Sequence, residues 1–375
     1  MSVPTVSHLL ISLAHGGLER LVVDWTNARN NRHPGSTRVV CLDEAGELAG
    51  ELDGDVLTVL RADRSRFPWD RVAVRTLSEY SPTGGEAGHV LHSHNIAAQQ
   101  YAALGVRRTS SRHVHTEHGS NVYVKGVVNR ARLRRLGAST HHLACVSSDA
   151  AEKIAPHWGV DASAITVVPN GVTPHPDFSR EEIEASREAL GIATDEFVIG
   201  SIGRFSKEKG YDRLLESLPG VLQEAPDARV LLIGDGRERH ALEAQADTLG
   251  IRDRLVLPGY QPNARRFYPL MSLFVMPSRS EGLSIALLEA MAAGLPVLVT
   301  RVGENPTVID EDTCGWFLPE AQSAWTDVIN ARISDVKSGQ GVAVGDAARQ
   351  RCVTQYSQDA TLELYEGIYA EVCRA

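Results

Sequence analysis

The sequence predicts an α/β protein made of two doubly wound domains in succession. Three observations carry this. Short runs rich in Val, Ile and Leu recur through the first half, at residues 6–13, 37–42, 56–60, 89–94, 112–116, 142–147 and 165–168, with helix-compatible segments such as 18–30 between most of them. The stretch VPNGVTPHPDFSREE then breaks the pattern, because Pro169, Asn170, Gly171, Pro174 and Pro176 oppose regular structure. After this linker the same alternation restarts, and a chain of 375 residues with 43% hydrophobic content can bury two separate cores. The expected domains are therefore residues 1–176 and 177–357, followed by a helical segment, 358–375, able to pack back on the amino-terminal domain.

Each apolar run is short enough for a strand, and the segments between runs are long enough for the crossover that parallel strands require. In the second half the strands are expected at 197–204, 229–236, 254–260, 272–278 and 295–300, with helices starting near Tyr211 and Arg237 and a further helix inside PSRSEGLSIALLEAMAAGLPV (277–297). Sheets of this kind bind ligands at the carboxyl ends of their strands. The Gly-rich and charged segments of this chain lie at such ends.

Composition removes several classes of function. A net charge of -9 and an isoelectric point near 5.9 disfavour nucleic acid as the main partner. The five cysteines, Cys41, Cys145, Cys314, Cys352 and Cys373, are widely spaced and form no CxxC pair, so neither a disulfide framework nor a zinc site is signalled and a reducing cytoplasm fits. The amino terminus lacks a basic signal-peptide region, and no apolar stretch approaches the roughly 20 residues a membrane span needs. Any membrane contact would be peripheral. The run YVKGVVNRARLRRLG (123–137), with Lys125, Arg130, Arg132, Arg134 and Arg135 and no acidic residue, reads either as a solvated helix face or as a surface for anionic lipid or a phosphate-bearing acceptor.

Two segments carry the chemistry. GRFSKEKG (203–210) follows a strand and precedes a helix; Gly203 and Gly210 allow close backbone approach, and Arg204, Lys207 and Lys209 can neutralise a diphosphate. Taken by itself, the segment also reads as a solvated loop with a helix cap. In the 277–297 segment Glu281 lies in a loop, and the N–H groups of Gly282, Leu283 and Ser284 are expected to open a helix whose positive end favours anionic or oxygen-rich ligands. Glu289 falls inside that helix, where a carboxylate can accept paired hydrogen bonds from vicinal hydroxyls. Spacing alone equally allows a first-turn acid and a solvated helix residue. The histidines of HSHN (His92, His94), HVHT (His113, His115) and His141–His142 suggest metal ligands or, for His94 and Asn95, acceptor contacts, but alternation along strands puts such pairs on one face without making a site.

The pieces HGGLER (15–20), TEHG (116–119), CVSSDA (145–150), VPNGV (168–172), GRFSKEKG, GDG (234–236), PGY (258–260) and SEGLSIALLEAMAAGLPV (280–297) occur in the order found in retaining glycosyltransferase family 4, and the chain resembles that family over nearly its whole length. The resemblance implies a GT-B fold, two Rossmann-like domains facing each other across a cleft. It implies transfer of a sugar from a nucleotide-sugar, a UDP-sugar favoured, to the hydroxyl of a glycan, lipid-linked or small-molecule acceptor, with retention and without a divalent metal or other cofactor. Arg204 and Lys209 would hold the donor diphosphate, Glu289 the ribose, and Glu281 the sugar hydroxyls, helped by the backbone of Gly282, Leu283 and Ser284. His118 would lie near the sugar ring, Gly16 and Gly17 would let their loop approach the phosphates, and Tyr260 would sit near the nucleobase. Leu283 and Ser284 depart from the aromatic-glycine pair common in relatives. The HGGLER phrasing is similar to members that build bacterial surface polysaccharides. A nucleotide-sugar epimerase of the same fold and a non-catalytic nucleotide-sugar binding protein are the alternatives.

Overall fold

The computed structural model of the chain describes residues 3–14, 16–63, 70–79, 87–119, 127–173 and 176–374. It divides into two compact units, Met1–Gly171 with Gln358–Ala375, and Val172–Ser357. The division at 171/172 falls inside the proline-punctuated segment, so Val172 and Thr173 group with the second unit.

Among the described residues the first unit holds seven parallel strands: β1 (Thr5–Leu10), β2 (Thr37–Cys41), β3 (Leu57–Val59), β4 (His89–His94), β5 (Arg112–Glu117), β6 (His142–Cys145) and β7 (Thr166–Val167). Their order is β3-β2-β1-β4-β5-β6-β7. Parallel strands covered by helices are shielded on both faces, and every residue of β4 is buried. The helix Gly17–Arg32 returns the chain from β1 to β2 and buries Leu21, Val22, Val23 and Trp25. Arg29 on the same helix is 1% exposed, yet its guanidinium is fully used: Nε donates to Glu366 at 2.6 Å, Nη1 to the Ser36 carbonyl at 2.9 Å and Nη2 to the Pro4 carbonyl at 2.7 Å. A buried charge persists only when paired in this way. Glu366 lies on the last helix, Gln358–Arg374, whose Thr361 also donates to the Pro169 carbonyl at 2.9 Å.

The second unit repeats the pattern with β8 (Phe197–Ile202), β9 (Ala228–Ile233), β10 (Leu255–Val256), β11 (Leu273–Met276), β12 (Val297–Thr300) and β13 (Trp316–Leu318), all parallel, in the order β10-β9-β8-β11-β12-β13. β13 has no counterpart in the sequence reading, since three residues give too little periodicity to register. β10 stops after two residues because Pro258 and Gly259, the latter at φ +81°, turn the chain. The helix Tyr211–Glu224 packs Leu214, Leu215, Leu218 and Val221 into the core, the spacing of one helix face.

In both units the chain reverses its direction of winding beside the first strand. The switch points are between β1 and β4 and between β8 and β11, where ligands of doubly wound sheets bind at the carboxyl ends.

Candidate active site

In the second unit the switch point is flanked by the segments leaving β8 and β11. Gly210 sits at φ +66° between the short 3-10 turn Lys207–Lys209 and the helix Tyr211–Glu224, and a side chain there would collide with the Pro277 carbonyl. Only glycine accepts both the left-handed backbone and the contact. The two segments are then laced together: the Arg279 N–H donates to the Glu208 carbonyl at 2.7 Å, and the Arg279 guanidinium grips the Asp212 carboxylate at 2.6 and 2.7 Å.

This lacing brings Lys209 to Glu281. Lys209 Nζ lies 2.7 and 3.0 Å from the two carboxylate oxygens, and the Ser278 hydroxyl donates to Glu281 Oε1. The side chains are 23% and 8% exposed, so the pair is half-buried but open to a ligand. Ser278 in turn is held by Thr300, whose hydroxyl donates to the Ser278 carbonyl at 2.7 Å. Behind the loop Gly303 is at φ +54°, where a side chain would strike the Glu281 carbonyl. Arg204 is exposed next to Gly203, and among the described residues its guanidinium makes no hydrogen bond or ion pair. Tyr260 follows β10 and is half-buried.

The helix after Glu281 begins at Ile285, with Ser284 at its N-cap. Gly282, Leu283 and Ser284 therefore precede the helix rather than form its first turn. Leu287, Leu288 and Met291 are fully buried, which turns Glu289 to the opposite, half-buried face. Arg265 Nε donates to Glu289 Oε1 at 2.8 Å and the Tyr268 hydroxyl to Oε2 at 3.0 Å. Burial, then the charge of Glu289, holds the Tyr268 phenol well above its ordinary pKa, so it stays a donor.

At the first unit's switch point Gly16, in extended conformation, caps the helix that begins at Gly17. His15 of the HGGLER piece and Lys125 of the basic run lie outside the described residues. The strand histidines form hydrogen-bonded networks on both faces of the sheet. On one face His94 links His8 and His118, with both N···N distances 3.0 Å, while His92 binds the hydroxyls of Tyr369 at 2.7 Å and Thr116 at 2.8 Å. On the other face Ser93 bonds His113 at 2.8 Å and His115 at 2.9 Å. Desolvation lowers all of their pKa values, His8, His113 and His118 to about 3, so these imidazoles are neutral at pH 7. Glu117 moves the other way: burial raises its carboxyl to about 7, against the pull of the Gly119 and His118 N–H groups it accepts.

The ligating nitrogens of His8, His92 and His94 lie within 4.8 Å of one another, close enough to suggest a metal. Both nitrogens of His92 and of His94 are already hydrogen-bonded, so the arrangement is complete as a polar core. His94 is 0% exposed and hydrogen-bonds the half-buried His118, which corrects the expectation that it contacts an acceptor directly. Asn95, half-buried at φ +67°, opens the following helix. The helix Val127–Ser139 buries Leu133 and Leu136 and exposes Arg130, Arg132, Arg134 and Arg135.

Sequence reasoning missed Arg265, Tyr268 and Ser278, which hold the two glutamates, and Gly303 behind them. It also gave no site role to Asn170, read as part of the linker and of the VPNGV piece, whose side chain partly offsets the burial that lowers the His118 pKa. Arg265 stands in a segment, QPNARRFYPL, that carries no recurring pattern. Ser278 and Gly303 depend on contacts between distant loops.

Comparison with known proteins matches residues 15–175 to the model described as Glycosyltransferase Family 4 and residues 182–351 to Glycosyl transferases group 1. An N-acetyl-alpha-D-glucosaminyl L-malate synthase of Bacillus anthracis is 30% identical over 198 residues, covering 52% of this chain and 51% of that protein. A D-inositol 3-phosphate glycosyltransferase of Xylanimonas cellulosilytica is 28% identical over 309 residues, 76% of this chain and 72% of that one. The chain thus spans about half the length of the first relative. Among solved structures, Anabaena Alr3699/HepE in complex with UDP aligns with a TM-score of 0.78 at 18% identity, over 98% of this chain and 100% of that one. The sucrose-phosphate synthase of Thermosynechococcus elongatus aligns at 0.76 and 17%, over 98% of each chain. At such identities the likeness speaks for the fold, GT-B, alone.

Proposed function

We propose, from the premise that this chain belongs to glycosyltransferase Family 4, that it moves a sugar from a nucleoside-diphosphate sugar to an acceptor hydroxyl, with a UDP-sugar as the favoured donor. The observation that carries the reading is the pairing of Lys209 with Glu281 at the β8/β11 switch point, with Glu289 held separately on the helix that follows. A cation and a carboxylate that satisfy each other when no ligand is bound can each exchange that partner for a ligand group of matching sign.

Breaking the bond between the sugar and its diphosphate leaves positive charge on the sugar and negative charge on the leaving group. Arg204 and Lys209 offset the latter, the largest electrostatic contribution to expect. Glu281 accepts hydroxyls of the sugar, and Glu289 accepts the two hydroxyls of the ribose. His118, neutral because of its burial, offers a hydrogen bond without adding charge beside the developing cation. The acceptor oxygen attacks from the face the diphosphate leaves, giving retention, and a phosphate oxygen takes the acceptor's proton. No enzyme nucleophile and no divalent metal enter this scheme. In keeping with it, the chain's Asp-X-Asp tripeptides, at 53–55 and 310–312, precede β3 and β13 rather than follow a strand.

The acceptor is a glycan, lipid-linked or small-molecule hydroxyl, and the setting is cytoplasmic polysaccharide or glycoconjugate synthesis. No helix among the described residues is long and apolar enough to cross a membrane. The exposed arginines of the Val127–Ser139 helix are the part of this chain suited to anionic lipid or a phosphate-bearing acceptor. The test is calorimetry in EDTA with UDP, GDP, ADP and their common sugars, on the native protein and on Glu289→Ala. One nucleotide should bind without metal, and the variant should lose it; no binding, or equal binding by the variant, overturns the donor site. Conversion of the donor without any acceptor would point to an epimerase.

A further inference from the structure

Glu289 is 12% exposed, and both of its carboxylate oxygens are engaged from the protein side. Arg265 Nε holds Oε1, and Tyr268, which shares its one proton between Glu289 Oε2 at 3.0 Å and the Ala286 carbonyl at 3.1 Å, holds the other. A carboxylate offers about four acceptor positions, so roughly one remains on each oxygen after these bonds. Two vicinal hydroxyls need just such a pair, one acceptor each, in a plane that does not rotate. Arg265 and Tyr268 both come from the 3-10 segment Ala264–Leu270 leading into β11, so the plane is set by the backbone that builds the sheet.

Arg265 is itself anchored. Its Nη1 donates to Thr173 Oγ1 at 2.6 Å, two residues beyond Gly171, where the first unit's long segment ends. One planar guanidinium thus spans the Glu289 carboxylate and the stretch by which the chain enters the second unit. A lysine could carry the charge but could not hold the two oxygens with one rigid group.

We infer that Arg265 is a positioning residue for Glu289, anchored by Thr173, and that it sets the preference of the donor site for ribose over deoxyribose. The inference rests on the reading of Glu289 as the carboxylate that takes the ribose hydroxyls. Without the guanidinium the carboxylate turns about its terminal bond, one of the paired hydrogen bonds is lost, and the second hydroxyl no longer matters to affinity.

The experiment measures Kd by calorimetry for UDP, GDP and ADP and for the 2′-deoxy form of each, on the native protein, Arg265→Gln, Arg265→Lys, Thr173→Val and Glu289→Gln. The preferred ribonucleotide should bind the native protein about tenfold more tightly than its deoxy form. Glu289→Gln and Arg265→Gln should each shrink that ratio to about twofold or less, while affinity for the deoxy form moves far less. Arg265→Lys should restore only part of the ratio, and Thr173→Val should lower it by less than Arg265→Gln does. The ratio is internal to each variant, so a fraction of unfolded protein leaves it unchanged. If Arg265→Gln keeps the native ratio while Glu289→Gln loses it, the positioning role is overturned and the reading of Glu289 stands. If the native protein shows no preference, binds none of the nucleotides, or keeps its preference in Glu289→Gln, the reading of Glu289 fails and this inference with it.

Discussion

At the β8/β11 edge of the second unit the polar groups are ions in pairs, Lys209 with Glu281 and Arg265 with Glu289, each side chain between 8% and 23% exposed. At the β1/β4 edge of the first unit they are imidazoles, His8, His92 and His94, at 2% exposure or less and bonded to one another and to hydroxyls. The first six strands of each unit follow the same order, and burial makes the difference. Partial exposure lets a charge survive with one partner, whereas complete burial favours the neutral form of a base. The ion pairs of the second unit can therefore trade charge with a ligand, whereas the buried imidazoles of the first can offer only hydrogen bonds.

The largest effect should come from removing the cation of the half-exposed pair. Lys209→Ala takes away a charge assigned to the diphosphate and leaves Glu281 without its cation, so turnover should fall by about 10²–10³-fold. Initial rates of nucleoside-diphosphate release measure it, and a loss of less than about threefold would remove Lys209 from the catalytic assignment.

Acid should separate the two units. Burial lowers the pKa of His8, His113 and His118 to about 3 and of His89 to about 4, with His92, His94 and His115 also depressed. A histidine with a depressed folded pKa contributes stability that is full above its unfolded value near 6.5 and is lost as pH falls toward the folded one, by up to about 1.4 kcal/mol per pH unit for each group. Glu117 has the opposite sign: with its carboxyl raised to about 7, its contribution is full below about 4.5 and is lost as pH rises through 7. The histidines outnumber it, so the first unit should open first on acidification. Hydrogen exchange across pH 7 to 4 should show β4 and β5 losing protection while β8 and β11 keep theirs; simultaneous loss would contradict it. Glu117→Gln should remove the loss of stability as pH rises from about 6.5 through 7 and, by deleting the opposing contribution, steepen the loss on acidification below about 6.5.

Much of this comparison was legible in the sequence, but unevenly. Arg204, Lys209, Glu281 and Glu289 stand in local patterns, a Gly-bounded basic loop and two acids at fixed spacing, that survive without any knowledge of packing. The strands were legible for a similar reason: parallel strands buried on both sides are continuous apolar runs, and among those of the described residues only β13, three residues long, escaped. The histidines were visible as residues but not as networks. His92 and His94 alternate as surface ligands would, but burial makes them neutral, and Tyr369, which bonds His92, comes from 277 residues further along the chain. Arg265 was invisible because its meaning lies in Glu289 and Thr173, reached across 24 and 92 residues.

The smallest expected effect compares two ion pairs that join the same two loops. Lys209–Glu281 and Arg279–Asp212 both tie the segment after β8, or the helix it opens, to the segment after β11, but the second pair is 39% and 46% exposed. Arg279 pairs with Asp212 through two parallel bonds and so has the better geometry. Its exposure still sets its worth, since exposed pairs contribute about 0.2–1 kcal/mol and are screened by salt. The lacing of the loops also uses the Arg279 backbone N–H on the Glu208 carbonyl, which survives replacement of the side chain. Arg279→Ala should therefore shift the midpoint of thermal unfolding by no more than about 4 °C, less again in 1 M salt, and change turnover by about threefold at most. A loss as large as that of Lys209→Ala would mean that the position of the loop, rather than the charge at Lys209, governs the reaction, and the contrast between paired ions and buried imidazoles would then describe how each unit is held together more than what each does.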